Sequence, residues 1–266
     1  MEFLTSKKAL YLFLVVISAA GVGYYVFNFS NTNRQESTSK NEATNSTSTV
    51  STTINGVTIK GGGGVTVSVL PNVPIPSLDR AINPKGLTPE IAKLYSDRIK
   101  ETSAVLKNDP KLFDSWILLG TLRKGIGDYE GASLAWEYAS ELAPTNIISF
   151  NNLGDLYHFY LKQYEKAETN FKLAIKNNHS TMSYQGLFDL YRYSYKTSTT
   201  LATDTLKEGI KKIPESIDLR VALAAYYKEK GNISQAKIYY EEALQKAKDQ
   251  INTSFVGLIE EELKNI

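Results

Sequence analysis

Apolar side chains recur along residues 113–248 in groups with helical spacing, and the groups themselves repeat with a period near 34 residues. Leu119, Leu153, Leu187 and Leu223 follow one another at steps of 34, 34 and 36 residues. A small residue occupies the next shared slot in every copy: Ala132, Ala167, Ala202 and Ala236. Because each copy has an apolar face that only a neighbouring copy can cover, the period predicts stacked pairs of helices.

The first copy, "WILLGTLRKGIGDYEGASLAWEYASELAP", orders its large, small and helix-ending residues in a way that resembles the tetratricopeptide repeat. The resemblance implies an all-α fold, an α-solenoid of about four helix hairpins with flanking capping helices. We expect a repeat domain over 87–266 that begins with a helix at 88–107 and ends with a capping helix at 252–266, N-capped by Thr253 or Ser254. The four expected repeats cover 113–146, 147–180, 181–216 and 217–250.

Large and small side chains have distinct expected roles in this stack. Glycine and alanine are expected where two helices cross, and aromatic residues are expected to fill the space around the crossing. Proline ends a helix because it lacks an N–H group and clashes with the preceding turn. The expected structural positions are Trp116, Leu119, Gly120, Ala132, Trp136, Ala139, Pro144, Leu153, Gly154, Tyr157, Ala167, Phe171, Ala174, Leu187, Tyr191, Ala202, Pro214, Leu223, Tyr227, Ala236, Tyr240 and Ala243.

Three copies depart from the repeat pattern. The second copy gains one residue in the turn between its helices. The third has Phe188 where the family keeps glycine, and "YKTSTT" predicts a longer turn. The fourth has Arg220 in an aromatic slot. We expect these departures to change local helix boundaries and to leave the fold intact.

The N-terminal sequence predicts a membrane anchor. Residues 9–29 carry no charge over 21 positions, and a helix of that length spans about 31 Å, close to the hydrocarbon thickness of a bilayer. Lys7 and Lys8 precede it and no basic excess follows. Residues 1–8 are therefore expected in the cytoplasm, with the repeat domain on the extracytoplasmic side of a bacterial envelope. The alternative is a cleaved signal peptide, with "SAA" at 18–20 as its cleavage site, and a secreted protein.

Residues 30–86 are rich in Ser, Thr, Asn, Gly and Pro and predict a mostly disordered linker. Such a stretch buries too little apolar surface to offset its ordering entropy. Within it, Asn55-Gly56 stands between Ile54 and Val57 and predicts a short β-hairpin. A lone hairpin is marginal in water, so it must pack on other residues or stay mobile.

Composition excludes several kinds of chemistry. The chain has no cysteine, which removes disulfides, thiolate catalysis and cysteine-based metal sites. A net charge of +2 argues against nucleic acid as a partner. The two histidines, His158 and His179, belong to no zinc-protease motif, and the hydrolase and dinucleotide-binding motifs are also missing. We therefore expect no catalytic residue, no metal, no cofactor and no enzymatic activity.

The resemblance implies that the first helix of each repeat lines a concave groove for a peptide or protein partner. The family's clamp for a C-terminal carboxylate is not expected, because its Lys and Asn slots hold Ile117 and Thr121. Aromatic and arginine side chains in the middle copies are typical anchors of protein interfaces. The predicted groove residues are Asn151, Asp155, His158, Phe159, Gln185, Asp189, Arg192 and Tyr193.

Membrane anchoring and the groove together predict a protein-interaction scaffold. Two other classes of function stay open. The Ser/Thr-rich stalk and the 17 tyrosines also fit a cell-surface structural or glycan-contacting module. An enzyme, or a subunit that positions one, would need a polar pocket that contains His158. The sequence leaves self-association undecided.

Overall fold

The computed structural model describes residues 71–266 and two short strands, β1 (Thr52–Ile54) and β2 (Val57–Ile59). The strands pair antiparallel, with Ile54 opposite Val57. The turn of the predicted hairpin and the predicted anchor at 9–29 lie outside the described residues, so both stay predictions. Among the helices that the structure describes, none is both long and apolar enough to cross a bilayer.

Ten α-helices follow one another between residues 71 and 266. They are α1 (Pro89–Asn108), α2 (Phe113–Gly125), α3 (Tyr129–Leu142), α4 (Ile147–Asp155), α5 (Tyr164–Asn177), α6 (Thr181–Tyr193), α7 (Leu201–Lys212), α8 (Ile217–Glu229), α9 (Ile233–Asp249) and α10 (Thr253–Lys264). The pairs α2–α3, α4–α5, α6–α7 and α8–α9 are the four predicted hairpins, while α1 packs on α2 and α10 packs on α9. The predicted all-α repeat domain is confirmed.

The flanking helices begin at polar caps. The Thr88 hydroxyl accepts a hydrogen bond from the Ile91 N–H, and Pro89 occupies the first turn of α1, as the sequence predicts. At α10 the predicted cap is wrong. The side chain of Asn252 accepts from the Phe255 N–H at 3.3 Å, one residue earlier than predicted. Asparagine is among the strongest N-caps, so its position determines where the helix begins.

Glycines allow the two helices of a repeat to approach closely. A side chain at Gly120 would overlap the Trp136 ring, and one at Gly154 would overlap the Phe171 ring. Trp136 also donates its indole N–H to the Ile117 carbonyl at 3.1 Å. Of the predicted structural positions, all are buried except the exposed Pro144 and Pro214 and the half-buried Tyr227. In both repeats a glycine of the first helix thus faces an aromatic ring of the second helix.

The segment before α1 is ordered against the first repeat, contrary to the prediction of a linker as far as residue 86. Leu78, Ile82 and Leu87 pack on the core of α1 to α3. Arg80 forms ion pairs with Asp128 and Glu130. Three apolar side chains and these paired charges supply the binding energy that the Ser/Thr-rich part of the linker lacks. Residues 78–87 therefore belong to the repeat domain.

Candidate functional site

The second and third repeats place two exposed aromatic rings on the surface formed by their first helices. α4 and α6 pack side by side. We call the surface that they share the middle face, defined by Asp155, Phe159, Asp189 and Tyr193. Phe159 is 45% exposed and Tyr193 is 60% exposed. Large rings left in solvent on a folded surface are typical of protein-binding sites.

A π-helical turn, Leu156–Tyr160, continues α4 and sets the direction of its last side chains. The Leu161 N–H donates to the Leu156 carbonyl, five residues back, at 3.0 Å. This wider turn absorbs the residue that the second copy gains over the first. The first three residues of the turn are buried, whereas Phe159 and Tyr160 are exposed. The inserted residue thus brings two aromatic rings to the surface.

Arg192, at the end of α6, is held by three rings and by a carboxylate of the next repeat. Its guanidinium carbon lies 5.5 Å from the centre of the Phe188 ring, 4.6 Å from Tyr193 and 5.7 Å from Tyr226. Its terminal nitrogen pairs with Glu229 of α8. Stacking on rings and a charge-assisted hydrogen bond together restrict this side chain. Arg192 therefore bridges the third and fourth repeats.

Asp155 makes the corresponding link to the first repeat. The Lys124 ammonium lies 3.4 Å from a carboxylate oxygen of Asp155 and 4.8 Å from the centre of the Tyr160 ring. This ion pair is long, and 45% of the Asp155 side chain stays exposed. Solvent-exposed pairs of this kind contribute little to stability. Asp155 is therefore available to a further cation.

Two predicted groove residues are buried, and the prediction that they present surface to a partner is wrong for both. Asn151 is 6% exposed and His158 is 1% exposed. The His158 Nε2 atom hydrogen-bonds the Ser194 hydroxyl at 2.9 Å, across to the end of α6. Burial lowers the pKa of His158, although the charge of Asp155 opposes the shift. A neutral His158 thus supports the middle face from beneath.

Asp189 is the half-buried acid of the middle face. Among the described residues it has neither a hydrogen-bond partner nor an ion-pair partner within 4 Å. Burial raises the pKa of Asp189 to about 6, and the nearby Asp155 charge adds to the shift while Arg192 opposes it. Gln185 lies one helical turn earlier and is also half-buried. An unpaired, partly desolvated carboxylate is energetically costly, so this side chain is poised to gain from a bound cation.

Glutamates on second helices make contacts that the sequence analysis missed. Tyr157 donates its hydroxyl to Glu137 of the preceding repeat, and Tyr191 donates to Glu168 of its preceding repeat. Lys196 pairs with Glu168 at 2.8 Å. The two tyrosines stand 34 residues apart, so the period contains the signal that would have identified this recurring link between repeats.

Two cavities lie elsewhere on the described domain. One, of about 400 Å³, is lined by Thr181, Ile217 and Phe255, near the starts of α6, α8 and α10. The other, of about 460 Å³, lies between α3 and α5 beside Val73 and Pro76. Neither contains a residue of the middle face. Over residues 71–266, no three His, Asp or Glu side chains are grouped as metal ligands would be.

Family comparison identifies two of the helix pairs. Residues 148–179 and 217–249 match the family model described as the tetratricopeptide repeat. These segments coincide with the second and fourth predicted repeats. The resemblance is therefore confirmed for α4–α5 and α8–α9. The assignment of the first and third copies as repeats rests on the shared period and on the common packing.

This chain is similar to several known proteins. Tetratricopeptide repeat protein 37 of Xenopus laevis is 30% identical over 105 residues, which is 39% of this chain. The match spans only 6% of the length of that relative. Among solved structures, MamA is 21% identical, with a TM-score of 0.49 over 61% of this chain and 94% of its own. YrrB, described as having an unusual peptide-binding site, is 14% identical, with a TM-score of 0.42 over 62% and 84%.

Proposed function

We propose that this chain is a membrane-anchored scaffold that binds an extended segment of another protein on its middle face, outside the cytoplasm. The uncharged stretch 9–29 supports the anchor, because its length matches the hydrocarbon core of a bilayer. The repeats supply a platform on which the first helices α4, α6 and α8 lie side by side. The roles assigned to the predicted groove residues and the absence of enzymatic activity remain predictions.

One observation carries the binding proposal: Phe159, in the π-helical turn after α4, and Tyr193, at the end of α6, are both exposed. Burying such rings against a partner contributes favourable free energy at a low cost in side-chain entropy. Arg192 already stacks on Tyr193, so this part of the surface is organised before a partner arrives. An open face of this kind suits an extended segment better than an enclosed small molecule.

Photo-crosslinking from the middle face tests this proposal. A benzoylphenylalanine residue replaces Phe159 or Tyr193 in the full chain, expressed in its native host. Matched controls carry it at Leu134 on α3 or Ile238 on α9, which are exposed on second helices. We expect protein adducts from positions 159 and 193 and none from the controls. Equal adducts at all four positions, or none at the two test positions, would overturn the proposal.

Membrane orientation has a separate test, because a chain without cysteine accepts a single reporter thiol. Lys111→Cys places the thiol on an exposed residue of the repeat domain, and Ser6→Cys places it before the apolar stretch. A membrane-impermeant maleimide is expected to label position 111 in intact cells and position 6 only after permeabilisation. The reverse pattern would contradict the proposed orientation. Release of the chain into the medium would favour a cleaved signal peptide.

A further inference from the structure

We infer that the bound segment presents a lysine or arginine side chain to the middle face, where its cation lies between Asp155 and Asp189 beside the rings of Phe159 and Tyr193. This inference rests on the proposed function and names the chemistry of the partner. It concerns α4, the π-helical turn that continues it, and α6, since the two helices pack side by side and these segments carry all four residues.

The first argument for a bound cation is that acceptors at the middle face lack hydrogen-bond donors. Among the described residues, Asp189 accepts no hydrogen bond and has no ion-pair partner within 4 Å. On α4, the side-chain oxygen of the buried Asn151 also lacks a donor. Asn151 and Asp155 are four residues apart on α4, so they lie on one side of that helix. Asp189 lacks a donor and Asp155 has only its long contact with Lys124, so a cation is the ligand that supplies both carboxylates.

The neighbouring cations are already engaged. Arg192 pairs with Glu229 and stacks on three rings, and its contact with Asp189 is limited to long-range attraction. Lys124 approaches Asp155 only to 3.4 Å. The carboxylates of Asp155 and Asp189 raise each other's energy, and a cation placed between them relieves that repulsion. An acidic segment would add to it.

Exposed rings give the site its second cation-binding element. Phe159 and Tyr193 stand four residues after Asp155 and Asp189 on their helices, so each ring lies one turn from a carboxylate. Ring faces attract ammonium and guanidinium groups, and the attraction grows when the cation is desolvated. The apolar stem of a lysine or arginine can cover the rings while its charged end reaches the acids. A purely apolar side chain would leave Asp189 unpaired and Asp155 with only its long contact to Lys124.

Corresponding slots in the outer repeats lack this combination. The position of Asp155 and Asp189 is occupied by Thr121 in the first copy and Ala225 in the fourth. The cation site is therefore confined to the two middle repeats. A segment that lay along all four repeats would have one preferred position for its basic residue.

A peptide-pool assay tests the inference on the full chain in mild detergent. Pools of ten-residue peptides carry one fixed central residue, lysine, arginine, norleucine, citrulline or glutamate, with mixtures at the other positions. Norleucine and citrulline match the shapes of lysine and arginine without their charge. We expect the lysine and arginine pools to bind at least tenfold more tightly than their neutral counterparts, and the glutamate pool most weakly.

Asp189→Asn removes the charge while it preserves the shape of the side chain. It should abolish the preference for cations, whereas Asp249→Asn, the same change on an exposed residue of α9, should leave the preference intact. A retained preference in Asp189→Asn would overturn the inference. Equal binding of all pools, lost in Phe159→Ala, would also overturn it but leave the proposed function standing. Binding by no pool would remove both.

Discussion

The turn between the two helices of a repeat differs between the outer repeats, the first and fourth, and the middle repeats, the second and third. Between the two helices of the first and fourth repeats, Gly127 and Gly231 adopt positive φ angles of 79° and 74°. In the second and third repeats the residues with positive φ are Lys162 and Lys196, both at 56°. A left-handed conformation costs a lysine free energy that glycine does not lose. The middle turns are therefore locally strained.

The N-caps of the second helices are also more favourable in the outer repeats than in the second repeat. Asp128 and Asn232 follow the glycines of the outer repeats, and each side chain accepts a hydrogen bond at the start of a second helix. Gln163 stands at the corresponding place in the second repeat and makes no such bond. The middle repeats are also the ones that carry the exposed rings and the unpaired acid. Local rules of stability are broken beside the proposed binding surface, as expected where a site is selected for function.

Asp128→Ala is expected to have the largest effect. Burial alone would raise the pKa of Asp128, but hydrogen bonds from Arg80, the Gly131 N–H and Arg123 lower it overall. Arg123 is 2% exposed and would lose its carboxylate partner. We expect a loss of about 3 kcal/mol in the free energy of unfolding, measured by urea denaturation.

Gln163→Ala is the matched change in the second repeat. It should alter stability by less than about 0.5 kcal/mol, because the side chain is exposed and caps nothing. If both substitutions cost the same, the contrast between outer and middle turns would be wrong. Arg80→Ala should reproduce part of the Asp128→Ala loss, since Arg80 joins the segment before α1 to this turn.

Ala132→Leu and Ala167→Leu test whether outer and middle repeats share one core. Both alanines are fully buried at a helix crossing. Each substitution is expected to cost about 1–3 kcal/mol by overpacking, as measured by thermal or urea unfolding. Similar losses would limit the difference between the repeats to their turns and surfaces. No loss at either position would mean that the crossing has unfilled space.

The core could be predicted because its information is periodic. Leu119, Leu153 and Leu187 occupy equivalent positions of successive repeats, and each side chain is buried. Equivalent positions pack alike because each repeat is covered by its neighbour. The π-helical turn could not be predicted from the period. One inserted residue can lengthen a loop or widen a helix, and the packing of Tyr157 and His158 decides between the two.

Exposure of the site was predictable only in part. Phe159 and Tyr193 are exposed, and their role in a groove stays a prediction. The same reasoning failed for His158, whose buried ring hydrogen-bonds Ser194, a residue beyond the end of α6 in the irregular third turn. Contacts between repeats of unequal turn length are not contained in a repeat pattern. Helix periodicity therefore locates a side chain on a face but does not determine how deeply a neighbouring turn covers it.

Asp189→Asn should stabilise the unliganded protein in a pH-dependent way. The folded-state pKa of Asp189 is raised from 3.8 to about 6, so the folded state binds more protons than the unfolded state between these values. Wild-type stability therefore falls as pH rises through this window and is constant above it. At pH 7.5 the variant should be more stable by up to about 3 kcal/mol. The gain should vanish near pH 4.

Asp218→Asn serves as the control for this titration, since Asp218 is an exposed acid at the start of another first helix. It should show no comparable gain at pH 7.5. An Asp189→Asn variant of unchanged stability across the range would mean that the carboxylate is solvated. A gain in stability combined with a loss of cation preference would show that this acid is kept for binding at a cost to folding.

Lys162→Gly and Gly127→Lys exchange the turn residues of the second and first repeats and give the smallest expected effects. Lys162 is exposed, and no hydrogen bond or ion pair holds its side chain in the described domain. Glycine at 162 should relieve a left-handed strain of about 1–2 kcal/mol, less the extra entropy of glycine in the unfolded chain. A net gain of up to about 1 kcal/mol in the free energy of unfolding is expected from urea denaturation.

Gly127→Lys should lower the free energy of unfolding by a similar amount, because a Cβ there meets open space and only the backbone conformation is penalised. Opposite signs would locate the difference between outer and middle repeats in the turn itself. If Lys162→Gly instead destabilised the protein, the surroundings would favour the lysine, and the middle turns would be no more strained than the outer ones.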